Sequence, residues 1–213
     1  MTATTDASSA PSSARAWMAE CERYLAARTG RYQWRRTRYQ HAAQRLMLGG
    51  LSDDDTLIDV GAGWTELDYY LRRELDWRGR YIPIDGAIDG TDLNHWTPPR
   101  RADWYVALEL IEHLHDPARL VHVMAQATIK GVVISTPNAD TVDVRAMDPT
   151  HVSPVTTALL CNWGLEVEVC CLYGQPADGL IAWRYRPQPV TPTPPTTGRT
   201  DKEPTCSQTA SAT

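Results

Sequence analysis

The chain has 213 residues, 42 % hydrophobic and 22 % charged, with 15 Pro, 13 Gly, 8 Trp, 9 Tyr and no Phe. Its formal charge of −5 is uneven: residues 1–50 carry 8 Arg against 3 acids, whereas residues 51–213 carry 13 basic against 23 acidic groups. An acidic body disfavours a whole-surface binder of polyanions, and no apolar run approaches the ~20 residues that span a bilayer.

Residues 1–13 are mostly Ser, Thr and Ala, which bury too little surface to order themselves, and they are expected to form a disordered tail. From Ala14 to Leu48 there is no Pro and only Gly30 interrupts, so two helices are predicted, over 14–28 and 32–48, the second ended by Gly49-Gly50. These make an N-terminal helical cap over 14–50. The run Thr56–Gly61 reads as a buried strand and Trp64–Trp77 as a helix with Leu67, Tyr70, Leu71 and Leu75 near helical spacing. Arg80–Asp85 and Asp103–Leu110 read as further strands. Asp116-Pro117 starts a helix that runs to about Thr128, with Asp as cap and Pro in the first turn. Gly131–Ser135 is a fourth strand. Ser153-Pro154 repeats the start signal for a helix ended by Gly164, and Leu165–Tyr173 and Leu180–Tyr185 form a strand pair across Gly174–Gly179. Residues 187–213 hold four apolar residues in 27 and read as a second, Pro/Thr-rich disordered tail.

Strands alternating with helices predict an α/β fold, a three-layer sandwich over residues 51–186 with a mostly parallel sheet and an antiparallel terminal strand. The five cysteines (Cys21, Cys161, Cys170, Cys171 and Cys206) form no CxxC pair and are odd in number, which fits a reducing compartment. No basic-then-apolar leader pattern opens the chain, and a cytoplasmic protein is expected.

In such sheets ligands bind beyond the carboxyl ends of the strands. After the first strand stands Asp59-Val60-Gly61-Ala62-Gly63-Trp64-Thr65-Glu66. Its glycines permit close backbone approach to a ligand, or simply a tight turn. Glu66 stands where a dinucleotide fingerprint needs glycine, which disfavours NAD and FAD. After the second strand Asp85 is placed to accept two ribose hydroxyls, or is a solvated acid. Asp92-Leu93 offers a carboxylate to an exocyclic amine, or is an Asx turn. After the third strand, Glu109, Glu112 and His113 share a face if the segment is a helical turn. That set suits a divalent metal or a proton transfer, or forms a polar lip. His151, in the loop after the fourth strand, can approach the same place.

Taken together these segments resemble the class I methyltransferases that use S-adenosylmethionine (SAM), with their Rossmann-like sheet. The resemblance rests on Leu57–Gly63, Asp85, Asp92-Leu93, Ala107–Leu114 followed by Asp116-Pro117, Ser135–Asn138 and Asp148–Val152, and spans about residues 51–186. It implies that Asp59, Gly61, Ala62 and Gly63 line the methionine end of SAM. It further implies that Asp85 takes the ribose, Asp92 and Leu93 read adenine, and Glu109 lies near the sulfonium. A seven-stranded sheet with its last strand antiparallel is implied. Two departures stand out. Thr65 replaces the usual third glycine, and only 17 residues separate Asp85 from Asp103, too few for the usual helix and full strand.

The expected reaction is in-line methyl transfer to a polar small-molecule acceptor, through O or N, with His113 and His151 as candidate proton acceptors. One alternative comes from the small-RNA ribose 2′-O-methyltransferases, in which Glu109, Glu112, His113 and His151 would match a metal site. Arg31, Trp34, Arg35, Arg36 and Arg38 mix cations with an aromatic as nucleic-acid contacts do, or form an amphipathic face against the acidic body. A non-catalytic binding module of the same fold is a further alternative.

Overall fold

Arg31–Leu48 (α1) lays Tyr39, Ala42, Ala43 and Leu46 along one buried stripe, spaced by the three- and four-residue steps of a helix. The structure, a computed structural model, describes residues 31–187, with side chains from Arg36 onward. The predicted helix over 14–28, the first tail and nearly all of the second lie outside the described residues, as do the side chains of Arg31, Trp34 and Arg35.

The elements that follow are β1 (Thr56–Val60), α2 (Glu66–Leu75), β2 (Arg80–Ile84), α3 (Gly86–Asp89) and β3 (Ala102–Leu108). Next come a single 3-10 turn (Ile111–His113), α4 (Pro117–Ala127), β4 (Thr128–Pro137), α5 (Val144–Met147), α6 (Thr157–Asn162), β5 (Glu166–Cys170) and β6 (Gly179–Tyr185). The strands form one sheet in the order β2-β1-β3-β4-β6-β5. β2, β1, β3 and β4 run parallel, and β6 lies antiparallel between β4 and β5. The Rossmann-like, mostly parallel architecture is therefore as expected.

Alternation along the strands sends successive side chains to opposite faces. Leu57, Trp104, Val106, Val133, Ile181 and Trp183 pack on one side with α1 and α2. Ile58, Tyr105, Ala107, Val132, Ile134, Leu180 and Ala182 pack on the other with α4 and α6. Two cores with the sheet between them make the three layers, and α1 belongs to one of them.

The seven strands implied by the resemblance are six among the described residues. In the short span after Asp85 the chain forms only α3 and turns before re-entering as β3. β2 is thereby left as an edge strand, the position in which its Pro83 costs no ladder bond. A second correction concerns Ser153-Pro154. Ser153 Oγ donates instead to the Leu114 carbonyl at 2.6 Å, and the helix starts later, with Thr156 accepting from Leu159 N at 3.2 Å. Asp116 caps α4 as expected, accepting from Arg119 N at 3.0 Å.

Candidate functional site

Parallel pairing of Val60 with Ile84 and of Leu108 with Ser135 brings the carboxyl ends of β1, β2, β3 and β4 to one edge of the sheet. A cavity of about 410 Å³ opens there. Its walls include Asp59 and the turn Gly61–Gly63, Glu109 and Glu112 after β3, and His151 beyond β4. α1 closes it with Arg38.

The glycine turn folds back over the end of β2. Gly61 N and Ala62 N donate to the Ile84 carbonyl at 2.8 and 3.3 Å. Gly61 has φ +76°, a conformation that favours glycine, and a Cβ there would press on the Leu110 side chain at 2.9 Å. Thr65, in place of the third glycine, takes φ 56°. Asp59 is buried and accepts from the Tyr81 hydroxyl. Burial pushes its carboxyl up to about 7; the Tyr81 bond opposes this and Asp85 adds to it.

Asp85 stands at the predicted place, but its oxygens are engaged by backbone: Oδ2 accepts from Gly63 N and Oδ1 from Ala87 N, each at 2.9 Å. Asp92 is exposed and accepts from Asn94 N at 3.0 Å and pairs with His95. Leu93 packs against the core on the α4 side. Neither Asp85, Asp92 nor Leu93 lines this cavity.

Beyond β3 the chain does not make one helical face. Glu109 adopts φ 54°, and the 3-10 turn begins only at Ile111. Glu109 instead engages Ser135 and Arg38. Its Oε1 accepts from Ser135 Oγ at 2.7 Å, and its Oε2 lies 3.4 Å from Arg38 Nη2. A positive φ at a non-glycine residue stores strain of order 1–3 kcal/mol, and such strain tends to collect at functional sites.

Glu112, His113 and His151 do converge, with one ligand atom from each lying within 4.8 Å of the others. The two rings meet edge to face at 4.6 Å. His151 Nδ1 is 2.7 Å from the Val144 carbonyl, and His113 Nδ1 is 3.3 Å from the Thr150 carbonyl. A carbonyl only accepts, so in the neutral form of each ring Nδ1 carries the proton and the lone pair falls on Nε2. Thr150 Oγ1 donates to Asp148 at 2.6 Å and accepts from His113 at 3.0 Å, which fixes that ring further.

Glu112 is 1 % exposed, and neither carboxylate oxygen completes a hydrogen bond; Thr136 Oγ1 lies near it without one. Burial, then the neighbouring Glu109, holds Glu112 well above the carboxylate range. Burial, then His151, lowers His113.

This donor set fits a divalent cation. It combines two imidazole lone pairs, oriented by hydrogen bonds at the other nitrogen, with a carboxylate lacking a protein partner. Glu109, the fourth expected ligand, is not part of the cluster.

Sequence reasoning missed two groups. Arg38, read as a nucleic-acid contact or as part of an amphipathic face, is 14 % exposed and lines the cavity, and Tyr173 lines it too. The signal for Arg38 was its place beside the Tyr39–Leu46 stripe. Arg36, the other described residue of that cationic set, pairs with Glu74 at 2.9 Å.

The fold is similar to that of solved SAM-dependent methyltransferases. Two solved structures carry the likeness. The plantazolicin methyltransferase BpumL in complex with SAH superposes at TM-score 0.55 and 11 % identity, over 82 % of this chain and 94 % of that one. A chain of the Haloferax volcanii complex between the Trm112 methyltransferase activator and a methyltransferase superposes at TM-score 0.52 and 15 % identity, over 84 % and 100 %. No family model and no curated protein matches the sequence. No helix among the described residues is long and apolar enough to cross a membrane.

Proposed function

We propose that the cavity binds SAM and that the protein transfers its methyl group to a polar small-molecule acceptor, through oxygen or nitrogen. The observation that carries this reading is Asp59 and the Gly61–Gly63 turn opening onto a polar cavity that also holds two imidazoles. Asp59, Gly61, Ala62 and Gly63 receive the methionine end of SAM, and Asp59 faces its positive charge. Asp85 receives the ribose by releasing Gly63 N, and Asp92 and Leu93 flank the adenine. The methyl carbon is already activated by the sulfonium, so holding donor and acceptor in line supplies much of the rate. His113 and His151 present Nε2 lone pairs to the same cavity and accept the proton that a hydroxyl or ammonium acceptor loses.

Isothermal calorimetry with SAM and its demethylated product SAH tests the reading. Both are expected to bind, and Gly61→Arg, which meets Leu110, is expected to abolish binding. Failure of both ligands to bind the wild-type chain leaves only a non-catalytic module.

The pairing of two free Nε2 atoms with the unpartnered Glu112 favours a second reading of the same reaction. Glu112, His113 and His151 would hold a divalent cation, which when bound polarises the acceptor oxygen. The residues' own part is then to orient that ion, through the bonds to Val144 and Thr150. Transfer that a chelator abolishes and a divalent cation restores supports it; equal activity with and without chelator removes it.

A further inference from the structure

Glu112, His113 and His151 bring three hydrogen-bond acceptors together in the cavity wall. One atom from each lies within 4.8 Å of the others. The two imidazoles commit Nδ1 to the Val144 and Thr150 carbonyls, which leaves Nε2 of each neutral ring to accept. Glu112 is 1 % exposed, and both its oxygens lack a hydrogen-bond partner among the described residues. A buried carboxylate without donors is costly, so the trio marks a place where N–H or O–H groups from outside the chain complete the bonding.

The number of donors needed selects the group. A hydroxyl brings one O–H and two lone pairs, so it satisfies one of the three acceptors and sets its own lone pairs against the others. A carboxylate or a phosphate dianion brings no donor. It also meets Asp59, Glu66, Glu109 and Asp148 along the same walls. Arg38 is the single Lys or Arg among the described lining residues, and it already faces Glu109 at 3.4 Å. A primary ammonium brings three N–H donors and the opposite charge. Three acceptors about 2.8 Å from its nitrogen, along tetrahedral directions, stand about 4.6 Å apart, a spacing that the 4.8 Å bound on the trio admits. Met147, 41 % exposed and on the same wall, offers an apolar surface to the carbon chain of such a molecule.

We propose that the methyl acceptor is a primary amine, its ammonium group seated on Glu112, His113 and His151. The proposal rests on the reading that the cavity binds SAM, and narrows the acceptor atom from oxygen or nitrogen to nitrogen. In the transfer one N–H proton passes to an imidazole Nε2, and the nitrogen lone pair so freed forms the bond to the methyl carbon. The carbon–sulfur bond breaks with its electron pair left on sulfur, giving SAH and a secondary ammonium.

Calorimetry on the full chain, with chelator present so that no divalent cation holds the same three groups, compares two analogues of SAH. In both, nitrogen replaces the sulfur; one carries a 2-aminoethyl arm on it and the other a 2-hydroxyethyl arm. The wild type is expected to favour the aminoethyl analogue by roughly 10–100-fold, the range for hydrogen bonds to a charged group. Glu112→Gln is expected to remove most of that preference and His151→Ala to reduce it by roughly 2–10-fold. Arg36→Met, a change on the exposed side of α1, is expected to leave it intact. Should Glu112→Gln fail to fold, His151→Ala and His113→Ala decide the matter. Because both histidine variants remove a neutral acceptor, general attraction of an amine to an acidic cavity does not move with them. A wild type that binds both analogues equally, favours the hydroxyethyl arm or binds SAH but neither analogue overturns the amine assignment while the cofactor reading stands. So does a preference that survives unchanged in the Glu112 and histidine variants. A wild type that binds neither the analogues nor SAH overturns both.

Discussion

His113 and His151, carried on the loops that follow β3 and β4, meet edge to face with ring centroids 4.6 Å apart. Each ring has its Nδ1 fixed by a backbone carbonyl, so in neutral form the pair presents two lone pairs rather than two N–H groups to the cavity. Removing either imidazole is expected to leave the cofactor walls untouched. His113→Ala and His151→Ala should each lower methyl transfer by roughly 10²–10⁴-fold. Affinity for SAH should change by less than about 3-fold, well under one hydrogen bond to a charged group. Steady-state kinetics beside calorimetry checks this, and unchanged turnover in both variants would remove the pair from the mechanism.

Asp59 gives the protein a pH dependence of definite sign. Its carboxyl is raised to about 7 in the folded chain by burial. The native state therefore holds this proton more tightly than the unfolded chain does. The contribution favours folding fully below the ordinary carboxylate value and is lost as pH rises through about 7. Unfolding free energy should fall over that window with a slope of at most ~1.4 kcal/mol per pH unit from this group. Asp59→Asn should flatten the profile, as read by denaturant titrations at several pH values.

Asp55 acts in the opposite direction. It is buried and accepts from Ser52 N and Trp104 Nε1, each at 3.0 Å, and from Lys130 Nζ at 2.9 Å. Although burial alone would raise it, these bonds together lower its carboxyl below the usual value. Its contribution is present above the ordinary carboxylate range and is lost as pH falls through the lowered value. Asp55→Asn should cost stability at neutral pH, by about 1–3 kcal/mol as for a hydrogen bond to a charged group, and little in acid.

Thr65 holds φ 56° with no side-chain cap bond. A left-handed backbone costs a residue with Cβ roughly 1–2 kcal/mol. Thr65→Gly is expected to raise stability by about 1 kcal/mol net, or about 2–4 °C in Tm for a chain of this size. A lower melting temperature would show that the threonine side chain contributes more than its backbone strain costs.

The local signals were legible in the sequence because they act over a few residues. The run Thr56–Val60, the cap at Asp116 and the glycine need at Gly61 follow from hydrophobic patterning, a helix terminus and a positive φ. The α/β fold class and the strand-end placement of Asp59 and Glu109 followed from the alternation of strands with helices. Which groups share a cavity depends on contacts between distant segments, and no spacing encodes it. Glu109 falls out of the Glu112–His113–His151 cluster because its own backbone turns left-handed to meet Ser135. Arg38 enters the site because the stripe Tyr39–Leu46 is buried against the sheet and rotates its neighbour inward. Asp85 meets Gly63 because parallel β1 and β2 end side by side. Sequence alone determined the layers and the glycine turn. Tertiary packing decided which charges face one another, since burial of one helix face fixes the direction of every side chain on that helix.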